Sequence, residues 1–140
     1  MTWLSKNDRK KFICSSIVLI IFSICISNYI QIESSFLVEF SSIMIGFLLS
    51  TIAILYSSNL RFELYKNRPP HYNSYWEMLV SYYRFACFYF VLSLLVVFLK
   101  ISIINTETYN KIYLILVLMG IMILGKVMIS FFKFLLIRIN

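Results

Sequence analysis

Four apolar runs dominate this chain, and each is long enough to cross a bilayer. They are FICSSIVLIIFSICISNYI (12–30), FLVEFSSIMIGFLLSTIAILYSS (36–58), MLVSYYRFACFYFVLSLLVVFL (78–99) and IYLILVLMGIMILGKVMISFF (112–132). A helix of about 20 residues, rising about 1.5 Å per residue, spans a hydrocarbon core of roughly 30 Å. The runs are apolar all round, whereas a membrane barrel needs alternating segments of about ten residues. In lipid the backbone has no water to bond with and must satisfy itself, which selects helices. The expected fold is all-α: an integral membrane protein, one domain over 1–140, with four transmembrane helices in an up-down bundle. Composition agrees, because only 14% of residues are charged. A soluble domain carries about 25% and needs that polar cover.

The cations set the expected orientation. Lys6, Arg9, Lys10 and Lys11 precede the first run; Arg61, Lys66, Arg68 and Arg84 flank the middle loop; Lys126, Lys133 and Arg138 close the chain. Lys100 and Lys111 alone fall on the other side. Short loops rich in Lys and Arg stay inside. Both termini and the loop 59–75 are therefore expected in the cytoplasm of a bacterial inner-membrane protein. The net charge of +7 hugs the membrane and forms no separate basic face, so nucleic acid is not an expected partner. The basic start resembles that of a signal peptide. However, the first run is too long and SNYIQIESS offers no small-x-small cleavage site, so a retained span is expected.

KNRPPHYNSYWEML (66–79) is the polar interruption between the second and third runs. Pro69 and Pro70 cannot continue a helix and restrain the residues before them. The second helix is expected to overhang the membrane through Tyr65 and stop there. Ser74 and Glu77 have the spacing of a capping box that starts the third helix. Tyr72, Tyr75 and Trp76 are expected at headgroup level, where amphipathic rings are favoured. Arg84, about one and a half turns into the third run, is expected to reach back to the same level. The stretch reads as a hairpin turn anchored at the interface, with a docking site for a cytoplasmic partner as a second, compatible use.

Inside the second run Ser42, Gly46 and Ser50 recur every four residues. Ala53 and Ser57 continue the line and Glu39 precedes it. Helices in lipid associate through such small faces, because close backbone approach replaces the hydrophobic drive. Three uses are open: packing within the chain, self-association into a homo-oligomer, or lining a hydrated path. Glu39 and Lys100 sit at the outer ends of the second and third spans and are expected to pair or share an interface. Lys126, Ser130 and Lys133 share a face beyond Gly120 and Gly125. A single helix with a snorkelling end is expected there, with a bent basic tail in the interface as the alternative. Cys14, Cys25 and Cys87 lack metal spacing and read as small buried hydrophobes, a thiol switch or acylation at Cys14 being the alternatives.

No catalytic, cofactor or metal site is expected. His71, the one histidine, has no second ligand at zinc spacing. Phosphate loops and dinucleotide glycine patterns are missing, and no base stands near the serines.

SSIMIGFLLSTIAILYSS, the charged turn and the aromatic-rich third span give this chain a recognisable layout. It resembles the small four-span membrane proteins of phage-exclusion and abortive-infection systems, such as the membrane partner of the lambda Rex pair and the membrane effectors that accompany some retrons. The resemblance is one of layout and transfers no functional residue. It implies an inner-membrane effector that perturbs the membrane when triggered by a cytoplasmic sensor protein that touches residues 59–75 or the termini. Bacteriocin immunity, superinfection or entry exclusion, and a passive subunit of an export machine are the other functions that suit the same layout.

Overall fold

The computed structural model describes residues 4–27, 29–99 and 106–139, with the side chains of residue 60 and of 133–139 left aside. All regular structure among them is helical: α1 (Lys6–Ile26), α2 (Ser34–Ser57), α3 (Leu60–Lys66), α4 (Tyr75–Phe98) and α5 (Thr106–Ile139). Three of these are long and apolar enough to cross a membrane: α2, α4 and α5 over Thr106–Phe132. The first expected span differs from the apolar run that suggested it. The helix begins six residues earlier, at Lys6, because Ser5 caps it: the Ser5 hydroxyl accepts from the Asp8 amide at 3.2 Å. It ends at Ile26, where the Ser27 hydroxyl turns back to the Ile24 carbonyl. Its first two turns are thus charged, and the apolar part that follows is short.

The overhang of the second helix is not continuous. α2 stops at Ser57, and Ser58 is extended with ψ near 153°. The hydroxyls of Ser57 and Ser58 donate to the carbonyls of Ile54 and Leu55, offering the backbone an alternative to helix. The chain then restarts as the short α3, whose Leu64 is fully buried. α5, by contrast, runs unbroken through 34 residues, as a single helix.

Neighbouring long helices run antiparallel. The start of α2 meets the end of α4, where Ser41 and Ser93 touch, and Val97 at the end of α4 packs on the cluster that Tyr109, Tyr113 and Val117 of α5 form with Leu37 of α2. α4 is central, packed on both α2 and α5, while α1 leans chiefly on α5. The core holds Leu48, Leu55, Leu79, Tyr83, Phe90 and Val127. Many large apolar side chains face outward, among them Ile17, Val18, Ile21, Ile43, Ile54 and Phe98. Water would not tolerate such a surface; hydrocarbon does.

Close approach is achieved at Gly120. A methyl group there would lie 2.9 Å from Phe90 Cε1 and 3.1 Å from Phe40 Cε1. One turn earlier the Tyr89 hydroxyl donates to the Leu116 carbonyl at 2.7 Å, tying α4 to α5. The stripe on α2 does something else. Ser42, Gly46, Ser50 and Ala53 are exposed, and nothing lies within 4 Å of a Cβ built on Gly46. Packing within the chain is therefore excluded for that stripe. The inward face is one residue away in register and carries Leu37, Ser41, Leu48 and Leu55. Cys14 and Cys25 also face outward, and Cys87 is half-buried, so the first two are not the interior hydrophobes expected of them. Their flanking residues explain this: beyond its charged start α1 is apolar all round, and only Ser16 and Ser23 are buried along it.

Candidate functional site

One end of the bundle gathers the polar chemistry. The start of α1, the α2–α3 corner, the proline turn, the start of α4 and Lys126 of α5 all meet there. The turn itself is built by Pro69, Pro70, His71 and Tyr72. The Tyr72 amide donates to the Pro69 carbonyl at 3.3 Å, and His71 has φ of 77°. That is the pattern of a type II turn, with proline second and a left-handed residue third. The third position usually holds glycine, and histidine accepts it at a cost. The Tyr75 amide donates to the Asn67 carbonyl at 3.0 Å and closes the loop behind the turn.

The turn delivers Tyr72 to the start of α1. Its hydroxyl donates to Asp8 Oδ2 at 2.8 Å and accepts from the Ser5 amide at 3.0 Å. Ser5 Oγ donates to the same carboxylate oxygen at 2.8 Å. Partial burial pushes the Asp8 carboxyl up. The hydrogen bonds from Ser5, Tyr72 and Tyr82 and the charge of Lys11 outweigh this and hold it below the ordinary carboxylate value. Burial pushes the Tyr72 phenol up, so it keeps its proton and its role as donor.

Beside the turn stands an aromatic cage. Trp76 is buried, with the rings of Tyr56 and Tyr65 each centred 6.0 Å away. The Arg61 guanidinium lies 4.2 Å from the Tyr56 centroid, 5.6 Å from Trp76 and 5.8 Å from Tyr65. Cations over aromatic faces attract the ring quadrupole. The break after α2 makes the cage possible, because it swings Arg61 and Tyr65 over the start of α4. A cleft of about 600 Å³ opens next to it, with Arg68, Asn73, Glu77 and Arg84 on its walls.

These placements revise the expected roles. Ser74 caps α4, accepting from the Glu77 amide at 3.1 Å, while Glu77 reaches back to the Asn73 amide at 3.2 Å, one residue further out than expected. Trp76 is covered by its own chain, where a headgroup anchor was expected, because α3 folds back across it. Tyr72 is engaged by α1, and Tyr75 and Arg84 are half-buried. Glu39 is exposed; Lys100, its expected partner, lies outside the described residues. A salt bridge joins Lys111 to Glu107 at 2.9 Å, within α5.

Sequence inspection passed over Ser5 and Asp8, although Ser-x-x-Asp is itself a capping signature. Arg61 was counted there only as an inside charge, because its aromatic partners come together only through the corner at Ser58. Lys126 was singled out as a snorkelling group; its Nζ lies 5.0 Å from the centre of the Phe12 ring, so it is held against α1.

Compared with known protein families, curated proteins and solved structures, this chain shows no significant match.

Proposed function

We propose that this chain is a small, non-enzymatic effector of the bacterial inner membrane, acting in antiphage defence by perturbing the bilayer when a cytoplasmic partner engages residues 59–75. α1 forms a fourth span in this scheme, and both termini and the proline turn lie in the cytoplasm. One observation supports it above the others. The turn is bonded at once to the start of α1, through Tyr72 and Asp8, and to the start of α4, through Ser74. A partner that moves the turn therefore pulls on two long helices together. The exposed rings of Phe62 and Tyr65 on α3 give such a partner an apolar hold. The outward stripe on α2 is free for a second copy.

The test is membrane potential in cells after controlled expression, with and without the neighbouring genes. Depolarisation that needs the neighbours, and that Tyr72→Phe blunts, is the expected outcome. A chain that is harmless at high expression and protects against a pore-forming toxin is an immunity protein, and the effector role falls.

A further inference from the structure

Two clefts adjoin along the seam between α1 and α5. The first has a volume of about 510 Å³ and is walled at its polar end by Asp8, Lys11, Tyr82, Lys126 and Ser130. The second, of about 540 Å³, is walled by Val18, Leu19, Leu118, Ile121 and Met122. Cys14 and Ser15 belong to both walls. The two are therefore one trough, basic at one end and apolar along the rest. Val18 and Ile121 are exposed, so the trough opens sideways, away from the bundle.

We propose that this trough holds one anionic phospholipid. Its phosphate lies between Lys11 and Lys126, and one acyl chain lies along Val18, Leu19 and Met122. Basic pockets between helices near a membrane face suit acidic headgroups. Asp8 is the one carboxylate among the described residues of the wall, and it is already taken up by hydrogen bonds from Ser5 and Tyr72. Two ammonium groups thus outweigh one occupied carboxylate. A zwitterionic headgroup would bring its own cation to two lysines. A free phosphate would use the polar end and leave the apolar end without a role. The site does not depend on the effector function and would serve equally in an immunity protein.

The experiment is native mass spectrometry of the detergent-solubilised chain titrated with phosphatidylglycerol or phosphatidylcholine. The wild type is expected to retain one phosphatidylglycerol and to release phosphatidylcholine. Lys11→Gln and Lys126→Gln should each weaken retention about fivefold, the share of one basic group near an anionic surface. Lys126→Arg should keep it, and Met122→Trp, which fills the apolar end, should abolish it. Helical circular dichroism checks that each variant is folded. Equal retention of the two lipids, or no loss in either Gln variant, overturns the proposal. Displacement by excess inorganic phosphate reduces the site to an anion pocket and overturns it too. A wild type that carries no lipid and runs as a dimer shows that a second copy occupies the trough.

Discussion

The hydroxyls of Ser41 and Ser93 lie 2.9 Å apart where α2 crosses α4, and both residues are closed off from their surroundings. Ser93 Oγ also donates to the Phe90 carbonyl at 2.7 Å, so in this pair Ser41 gives and Ser93 receives. Ser93→Ala removes the only acceptor that the Ser41 hydroxyl is seen to use. Ser41→Ala leaves Ser93 with its carbonyl. Interhelical hydrogen bonds in membranes average about 0.6 kcal/mol. Ser93→Ala is therefore expected to cost about that much and Ser41→Ala less, measured by unfolding in mixed micelles of increasing denaturing detergent.

Gly120 and Gly46 make a matched pair of substitutions. Leucine at Gly120 must displace Phe90 and Phe40, and overpacking of this kind costs about 1–3 kcal/mol. Leucine at Gly46 meets empty space. Thermal melting in detergent should separate them: Gly120→Leu melts early and Gly46→Leu melts like the parent. A loss of cellular activity in Gly46→Leu would then report on contact with another molecule. If the two variants melt alike, the close approach at Gly120 is wrong.

Acid should loosen the start of α1. The Asp8 carboxyl titrates lower in the folded chain than its ordinary value of 3.8. A depressed folded value contributes stability that is complete above the ordinary value and fades as pH falls through the lower one. The protection of amides 5–9 against hydrogen exchange, relative to an unstructured chain at the same pH, should therefore stay flat down to about pH 4 and fall below it. Asp8→Asn should remove that dependence, and Tyr72→Phe should lower the protection at every pH.

His71→Gly should stiffen the proline turn. A left-handed backbone costs a non-glycine residue on the order of 1 kcal/mol, and glycine removes that cost. Some of the gain is returned as added freedom in the unfolded chain. Slower proteolysis between α3 and α4 is the expected readout; faster cleavage would mean that the ring's 3.4 Å contact with Asn7 matters more.

Tyr113→Phe should be neutral or stabilising. The Tyr113 hydroxyl is buried with no hydrogen-bond partner among the described residues. An unmet buried hydroxyl costs about 1–3 kcal/mol. A melting temperature that falls on removing this oxygen would reveal a hidden partner for it.

The apolar runs were enough to foretell long helices, because length and hydropathy are properties of the chain alone. Ser74 was equally legible as a cap, since capping acts over three residues. Facing was not legible. In water an amphipathic stripe tells inside from outside, but in lipid both sides are apolar, so Ser42 and Gly46 looked as suited to packing as Ser41. One residue of slip turns a helix by about 100°, which is the whole difference between the lipid face and the core. The corner at Ser58 was hidden for another reason: the serines that make it are as common inside these spans as at their ends. The Tyr72–Asp8 latch joins residues far apart in the chain, and no local pattern announces it.

That latch has a consequence for assembly. Asp8 and Tyr72 are separated by 64 positions, so on the ribosome the first helix emerges long before its fastening exists. Distant pairings of this kind are slow to form and leave early segments loosely held. Until the turn arrives to stitch it down, the first helix has its own cap at Ser5 to steady it. Truncated chains ending before residue 72 would carry an untethered leader segment, and quality-control proteases would meet that segment first.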